Sequence, residues 1–132
     1  MENYPDALLR GIRDSKLIVE DQVSTMVFYP NEKTKELRDD GYMETSINWE
    51  DDENALNFTI KLFPNGAVRL PKVELEHINR YPTSRDDLLY ERSPQENNSY
   101  HGNILFRGDL PKSILRLRSA SLASAASFVI KK

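Results

Sequence analysis

Tyr100, His101 and Asn103 are the residues whose types and spacing could support chemistry in this chain. An exposed imidazole gains or loses a proton near neutral pH, so His101 could serve as a general base. The alternative is a structural histidine that hydrogen-bonds a neighbouring backbone group and fixes the entry to a strand. We favour the structural role, because neither a nucleophile nor an orienting partner for His101 can be assigned. No catalytic residue is predicted.

A long polar segment, Asn79 to Ser99, precedes these residues. Connections of this length are uncommon inside a compact domain and are usually functional or mobile. Within it, Ser84 followed by Asp87 could cap one or two helical turns that run through Tyr90. We predict a binding surface formed by this segment and the residues just after it. Its predicted members are Tyr81, Tyr90, Tyr100, His101 and Asn103.

The sequence predicts neither a metal site nor a cofactor. His77 and His101 are the only histidines, and neither has a second histidine at the spacing of metal ligands. The acidic run Glu50 to Glu53 lacks the spaced oxygen ligands and central glycine of a calcium loop, and a solvated turn is the simpler interpretation. The chain contains no cysteine, which excludes disulfides, thiol catalysis and zinc–thiolate sites.

Composition and charge are those of a globular chain, and we predict one domain over residues 1–132. Hydrophobic residues make up 39% of the sequence and charged residues 30%, unlike a disordered segment. The net charge is −3 with both signs scattered along the chain, which argues against a nucleic-acid binder because phosphate contacts need clustered positive charge. Neither a membrane span nor a signal peptide is apparent, so we expect a cytoplasmic protein.

The first predicted element is a helix from Pro5 to Arg13. Proline suits the first turn of a helix. Leu8, Leu9 and Ile12 would lie on one face of this helix and could pack against a sheet.

Two criteria predict the strands that follow. Lys16 to Glu20 and Thr25 to Tyr29 are rich in β-branched and aromatic residues. Residues 43–49 and 56–62 alternate between apolar and polar side chains, which is typical of an antiparallel sheet with one buried face. The short acidic link between these two segments predicts that they are neighbours in the sheet. The polar stretch Pro30 to Gly41 is predicted to be a loop with room for one helical turn.

Asn65-Gly66 has two interpretations. It could be a type I′ hairpin turn that joins the preceding segment to a strand at Val68 to Leu70. Alternatively, Pro64 to Pro71 is an irregular passage leading to a further strand at Val73 to His77. We prefer the irregular passage, because a proline just before the dipeptide cannot donate to a sheet ladder. A helix at Lys72 to Arg80 is a further option.

The C-terminal part is predicted to contain a strand at Asn103 to Arg107 followed by a helix. Asp109 is a candidate N-cap, Pro111 suits the first turn, and the helix would run to about Ser127. Residues 115–118 also alternate as a strand would, but the high alanine content favours the helix. Leu115, Leu122, Ala126 and Val129 are predicted to face the core, and Lys112, Arg116 and Arg118 to lie nearer water.

Together these segments predict an α+β fold with an antiparallel sheet of about four strands in a meander. The N-terminal helix and the small-residue C-terminal helix would flank this sheet. The polar cluster at His101 would then lie at the start of the last strand, just before the C-terminal helix.

Two short pieces of the chain resemble the ubiquitin-conjugating (E2-like) domains. FTIKLFPNGAVRLPKV, from Phe58 to Val73, is similar to the family's strand, proline-rich passage and Pro-Lys-Val motif. Tyr100-His101-Gly102-Asn103-Ile104 is similar to its Tyr-His-Pro-Asn-Ile motif. The resemblance implies an N-terminal helix, an antiparallel meander, an irregular region and a C-terminal helix.

The departures from that family change the implied function. Ala67-Val68 stands where the family has Tyr-Pro, and Gly102 replaces a proline. The family's catalytic cysteine would fall near Pro111, and this chain has no cysteine. The resemblance therefore implies a non-catalytic, protein-binding relative in which His101 and Asn103 are structural or vestigial.

Three hypotheses for function follow. The first is a non-catalytic interaction domain that docks a protein partner through its sheet face or the segment from residue 79 to residue 99. The second is a small acidic inhibitor or immunity-type protein that masks a basic surface. The third is a hydrolase or transferase that uses His101. We favour the first, and the sequence carries no indication of oligomeric state.

Overall fold

The structure is a computed structural model that describes residues 6–19, 22–74 and 88–129. These residues form an α+β fold built on a six-stranded antiparallel sheet, so the predicted class is confirmed and the predicted strand number is a slight undercount. The predicted residues His77, Tyr81 and Ser84 lie outside the described residues.

The eight described strands and the helices have the following bounds. The strands are β1 (Ala7–Gly11), β2 (Ile18–Val19), β3 (Gln22–Val23), β4 (Met43–Trp49), β5 (Ala67–Pro71), β6 (Leu88–Arg92), β7 (His101–Phe106) and β8 (Ser127–Phe128). The α-helices are α1 (Thr34–Leu37), α2 (Asn54–Leu62) and α3 (Lys112–Ala125), and Ser15–Leu17 form a 3₁₀ turn. The order in the large sheet is β6-β7-β4-β1-β5-β8, while β2 and β3 pair separately.

The predicted N-terminal helix is wrong, because Ala7–Gly11 is the strand β1 near the centre of the sheet. Leu8 lies in the main core with Leu115 and Leu122 of α3, while α2 contacts β1 and β4. Successive strand residues point to opposite faces, so Leu8 and Leu9 are both fully buried. A strand covered on both faces appears in the sequence as a short continuous run of apolar residues. Periodicity alone cannot distinguish such a run from a buried helical segment.

The predicted strand at residues 56–62 is also wrong, because this segment belongs to helix α2. The residues that α2 buries are the small Ala55 and the polar Thr59. The Thr59 hydroxyl donates to the Ala55 carbonyl oxygen at 2.8 Å and accepts from Asn48 Nδ2 of β4 at 2.8 Å. The alternating apolar residues therefore do not mark the buried face, and Leu62 is more than half exposed.

The sheet is not a simple meander. Strand β4 is confirmed at Met43–Trp49, but its neighbours are β1 and β7 and not the next segment of the chain. The predicted strand at Thr25 to Tyr29 is wrong, because these residues form turns. Of the predicted strand at Lys16 to Glu20, Ile18–Val19 is a strand, Lys16 and Leu17 belong to the 3₁₀ turn, and Glu20 lies outside the described residues. The helical turn in the predicted loop exists as α1.

The strand predicted at Val68 to Leu70 is confirmed as part of β5, but neither the hairpin pairing nor the irregular passage around Asn65-Gly66 is right. Gly66 has a positive φ of 113°, which glycine tolerates better than other residues. The strand that follows is β5, which pairs with β1 along its whole length and not with the helical residues before the turn. Residues 72–74 are helical, which contradicts a strand beginning at Val73 and agrees with the start of the alternative helix.

The predicted loop from residue 79 to residue 99 contains strand β6, at Leu88–Arg92. The helical turns predicted through Tyr90 are therefore wrong. Tyr90 is instead a core residue, 8% exposed. Residues 93–99 form a short connection from β6 to β7.

The C-terminal helix is confirmed as α3, and the alternative strand is wrong. Its N-cap is Pro111 and not Asp109, whose carboxylate accepts from Arg107 Nε at 2.7 Å. Leu115 and Leu122 face the core as predicted. Arg118 does not lie near water, because it is only 6% exposed.

Gly102 of β7 is required by close packing. A Cβ atom at this position would overlap the Trp49 indole and the Glu91 carbonyl oxygen. The Trp49 Nε1 donates to that same carbonyl oxygen at 3.0 Å. The indole of β4 therefore reaches β6 across the missing side chain of β7.

Candidate functional site

The sheet splits between β1 and β4. These strands pair only at Leu8 with Trp49 and at Leu9 with Asn48. Continuing the same register would place Gly11 opposite Ser46, but no pairing exists there. Both strands continue on their outer sides, β1 with β5 and β4 with β7. The split therefore leaves a cleft inside an otherwise continuous sheet.

Arg10 occupies the point where the two strands separate. Its Nη1 donates to the Ser46 carbonyl oxygen at 2.6 Å, and its Nε donates to the Val27 carbonyl oxygen at 3.1 Å. Among the described residues, no carboxylate forms an ion pair with Arg10. Burial, together with the positive charge of Arg13, lowers the pKa of Arg10 to about 10. Within the described part of the chain, Arg10 is thus a cation held by neutral oxygens.

We name the opening beside Arg10 the β1–β4 cleft. It has a volume of about 240 Å³. Its polar lining residues are Arg10, Arg13, Ser46, Asn48, Gln95, Asn98 and His101, and its apolar ones are Leu9, Gly11, Ile47, Leu62 and Phe63. Its described lining includes no aspartate or glutamate. An adjoining hollow of about 180 Å³ shares Arg10, Arg13 and Ser46 and extends to Asn31 and Glu44.

His101 enters the cleft wall from the start of β7. Its Nδ1 lies 2.9 Å from the Ser93 carbonyl oxygen. A carbonyl only accepts, so we assign the proton to Nδ1, which leaves Nε2 as an acceptor in the neutral ring. The Ser93 backbone N–H also donates to the His101 carbonyl oxygen at 2.9 Å. This is the geometry expected of a histidine that fixes the entry to a strand.

A chain of side-chain hydrogen bonds holds one wall of the cleft. Asn98 Nδ2 donates to Asn48 Oδ1 at 2.9 Å. Asn48 in turn donates to Thr59 of α2 at 2.8 Å. These bonds tie the β6–β7 connection, β4 and α2 to one another. Buried amides and hydroxyls that satisfy each other in this way rigidify the surface they support.

The Tyr100 side chain packs against helix α2 and does not line the β1–β4 cleft. Its hydroxyl donates to Asp52 Oδ1 at 2.9 Å, and its ring centroid is 5.7 Å from that of Phe58. The hydrogen bond to Asp52 raises the pKa of Tyr100. Of the four predicted binding residues that the structure describes, His101 lines the cleft and Tyr90, Tyr100 and Asn103 do not. A binding role for each of them stays a prediction.

Asn103 contacts a second polar site. We name this site, made of Arg38, Asp40, Glu44 and Glu91, the Arg38 cluster. Arg38 bonds Asp40 at 2.8 Å, Glu44 at 2.7 Å and Glu91 at 2.7 Å. Asn103 Nδ2 donates to Glu91 at 2.8 Å, while its buried Oδ1 has no partner among the described residues.

Charge pairing shifts the pKa values of Arg38, Asp40 and Glu91. The hydrogen bond from Arg38 lowers the pKa of Asp40 to about 2. Burial alone would raise the pKa of Glu91, but hydrogen bonds from Arg38 and Asn103 outweigh burial, and the net shift is downward. The hydrogen bonds to Asp40 and Glu91 raise the pKa of Arg38.

The acidic run at Glu50 to Glu53 is largely engaged by partners within the protein. Glu50 bonds Arg69 at 2.5 Å, Asp51 pairs with Arg92, and Asp52 accepts from Tyr100. The predicted solvated turn is therefore wrong for Glu50, whose side chain is only 16% exposed. Within the described ranges, no group of three or more histidine and acidic residues could hold a metal ion.

The arginines of the β1–β4 cleft were not among the predicted site residues. One signal was present, since Arg10 interrupts the apolar run from Ala7 to Ile12. A charge inside an apolar run is rarely buried without a partner. The split that creates the cleft has no local sequence signal. It depends on how far β4 and β5, which are distant in the sequence, each pair along β1.

Comparison of the chain with protein-family models, curated proteins and solved structures found no match. In the part of the chain that the structure covers, no helix has the length and apolar character needed to cross a membrane.

Proposed function

We propose that this protein is a non-catalytic, cytoplasmic interaction domain that docks a protein partner over the β1–β4 cleft. The observation that carries the proposal is a polar cleft, supported by side-chain hydrogen bonds, whose described lining residues include two arginines and no acidic residue. Preformed clefts with a few fixed polar groups are common binding sites. The connection from residue 93 to residue 99, part of the segment predicted to bind, contributes Gln95 and Asn98 to this cleft.

The geometry gives less support to an enzyme that uses His101. The imidazole uses Nδ1 to contact the Ser93 carbonyl oxygen. Among the described residues, no hydrogen bond joins His101 to a serine or threonine hydroxyl, although Ser46 lines the same cleft. A nucleophile activated by histidine needs such a contact.

The acidic-inhibitor hypothesis is also weaker than docking at the cleft. A chain that masks a basic surface needs free carboxylates to present. Here the carboxylates of Glu50, Asp51 and Asp52 each accept from a side chain of the same chain. The resemblance to E2-like domains carries no part of the proposal, because helix α2 stands where that resemblance places a strand.

Cross-linking of native complexes tests the proposal. Lys61 is exposed beside the cleft residue Leu62, and Lys112 is exposed at the start of α3, outside the cleft. Tagged protein purified from its native cells should recover a protein partner, and cross-links to that partner should concentrate at Lys61. Recovery of nothing above a tag-only control, or cross-links at Lys112 alone, would contradict docking over the cleft.

His101→Ala separates binding from catalysis. The variant should keep biological activity to the extent that it keeps partner binding. A variant that still binds the partner but loses the activity would instead support the enzyme hypothesis.

A further inference from the structure

The charges around the β1–β4 cleft are unbalanced, although the chain as a whole is acidic with a net charge of −3. The guanidinium groups of Arg38, Arg69 and Arg92 each pair with at least one carboxylate. Among the residues that the structure describes, the partners of Arg10 are two carbonyl oxygens. The Arg13 guanidinium lies 5.8 Å from the Phe63 ring centroid and has no ion pair among the described residues.

We propose that the β1–β4 cleft binds an acidic side chain of an extended segment of the protein partner, with Arg10 and Arg13 as the groups that recognise its carboxylate. The inference rests on the proposed function, since it takes the ligand to be part of a protein. It goes further by assigning the chemistry of the group that enters the cleft.

Two observations favour a carboxylate. Guanidinium groups donate pairs of N–H bonds that match a carboxylate, and such charge-assisted bonds are stronger than bonds between neutral groups. A partly buried cation without a counter-ion gains from an anion that replaces lost hydration. Arg10 is such a cation, because burial is the main cause that lowers its pKa and its partners among the described residues are carbonyl oxygens.

The shape of the opening favours a segment that passes through, and not a chain end. The cleft of about 240 Å³ and the hollow of about 180 Å³ lie on either side of the residues they share, Arg10, Arg13 and Ser46. An extended peptide rises about 3.3 Å per residue. It could place one acidic residue at the shared arginines, with one neighbouring residue in the β1–β4 cleft and the other in the adjoining hollow. The exposed Gln95 amide lines the β1–β4 cleft and can bond to a peptide backbone, whereas the amides of Asn48 and Asn98 bond to each other.

The test uses two blocked tripeptides, acetyl-Ala-Glu-Ala-amide and acetyl-Ala-Gln-Ala-amide, and inorganic phosphate. Binding is followed by NMR shifts of the Arg10 and Arg13 Nε–H signals in the full chain. The glutamate peptide should bind at least about tenfold more tightly than the glutamine peptide, and added salt should weaken it. If both peptides bind equally, or if only phosphate shifts the arginine signals, the inference is overturned.

Variants locate the effect. Arg13→Met should weaken glutamate-peptide binding about tenfold, and the exposed position of Arg13 makes the fold tolerant of this change. Arg10→Met should weaken it at least as much. Arg116→Met removes an exposed arginine from α3 and is the matched control, which should bind as the unaltered protein does. Equal binding by Arg13→Met and the control would contradict the assignment.

The two proposals fail separately. A native partner that binds the Arg10→Met and Arg13→Met variants as well as the unaltered protein would overturn the carboxylate assignment and leave the interaction function standing. Selective glutamate-peptide binding, with no partner recovered from cells, would leave the cleft chemistry standing and overturn the interaction function.

Discussion

Arg10 and Arg38 are both partly buried arginines beside β4, yet their surroundings are opposite. Arg38 bonds three carboxylates, and the shortest N–O distance to each is 2.8 Å or less. Arg10 bonds two backbone carbonyl oxygens and no carboxylate of the described residues. The pKa of Arg38 is raised, whereas that of Arg10 is lowered.

This difference separates a charge that stabilises the fold from a charge that can recognise a ligand. A cation already neutralised by three carboxylates gains little from a further anion. A cation held by neutral oxygens keeps most of its electrostatic attraction for one. The same side chain thus has a structural role in the Arg38 cluster and, in our proposal, a binding role in the β1–β4 cleft.

The largest expected effect is on stability, in Arg38→Met. Removing the cation leaves Asp40, Glu44 and Glu91 close together without a counter-charge, and we expect a loss of about 2 kcal/mol. The loss stays below that of a fully buried pair, because the carboxylates keep some contact with water. Urea unfolding at pH 7 measures it. Adding Glu91→Gln should recover part of the loss, and a double variant no more stable than the single one would contradict this explanation.

Arg10→Met should have a smaller effect on stability. The Ser46 and Val27 carbonyls lose a donor, but an uncompensated charge is also removed, so we expect a loss of about 1 kcal/mol or less. The same urea experiment compares the two variants directly. A loss larger than that of Arg38→Met would remove the distinction drawn between the two arginines.

Lowering the pH should reduce the contribution of the Arg38 cluster to stability more than that of Arg10. The pKa of Asp40 falls from 3.8 to about 2 on folding, so its contribution to stability is present above about pH 4 and is lost as the pH falls towards 2. The pKa of Glu91 is also lowered, which acts in the same direction. The stability difference between the unaltered protein and Arg38→Met should therefore shrink between pH 4 and pH 2, while that for Arg10→Met should change less. Parallel curves for both variants would contradict this.

The smallest expected effect is at Tyr100, a surface contact that neither arginine touches. Its pKa is raised chiefly by the hydrogen bond to Asp52. Asp52→Asn should therefore lower the pKa of the phenol towards its usual value, as measured by NMR of ¹³C-labelled tyrosine. Glu53→Gln is the matched control on the same turn, and an equal shift in both variants would assign the effect to general charge.

Local chemistry made some elements predictable. Strand β4 alternates with little ambiguity, and the alanines of α3 outweigh the brief alternation near Leu115. Strand β1 was predicted to be a helix and helix α2 to be a strand, because the burial of residues in both elements depends on tertiary contacts. Leu8 and Leu9 are both buried only because the sheet is covered on two faces, and Thr59 is buried because Asn48 of another element bonds to it.

The candidate site was predictable to a similar extent. His101 could be identified from its neighbours, and the structure places it in the cleft wall. Arg10 and Arg13 could not be joined to it, because His101 reaches them only through the pairing of β7 with β4 and of β4 with β1. Long-range register of this kind has no signature within a short window of sequence.

The position of β1 between β4 and β5 has a consequence for how the chain folds. Leu8 pairs with Trp49 on one side and Leu70 on the other, so the central strand cannot be completed until two distant segments have been brought to it. Closing such loops precedes most of the stabilising contacts, and proteins built on non-local pairings fold in roughly milliseconds to seconds instead of microseconds. Until that step, the apolar Ala7-Leu8-Leu9 run remains an unpaired strand, so association between chains should compete with refolding more strongly as protein concentration rises.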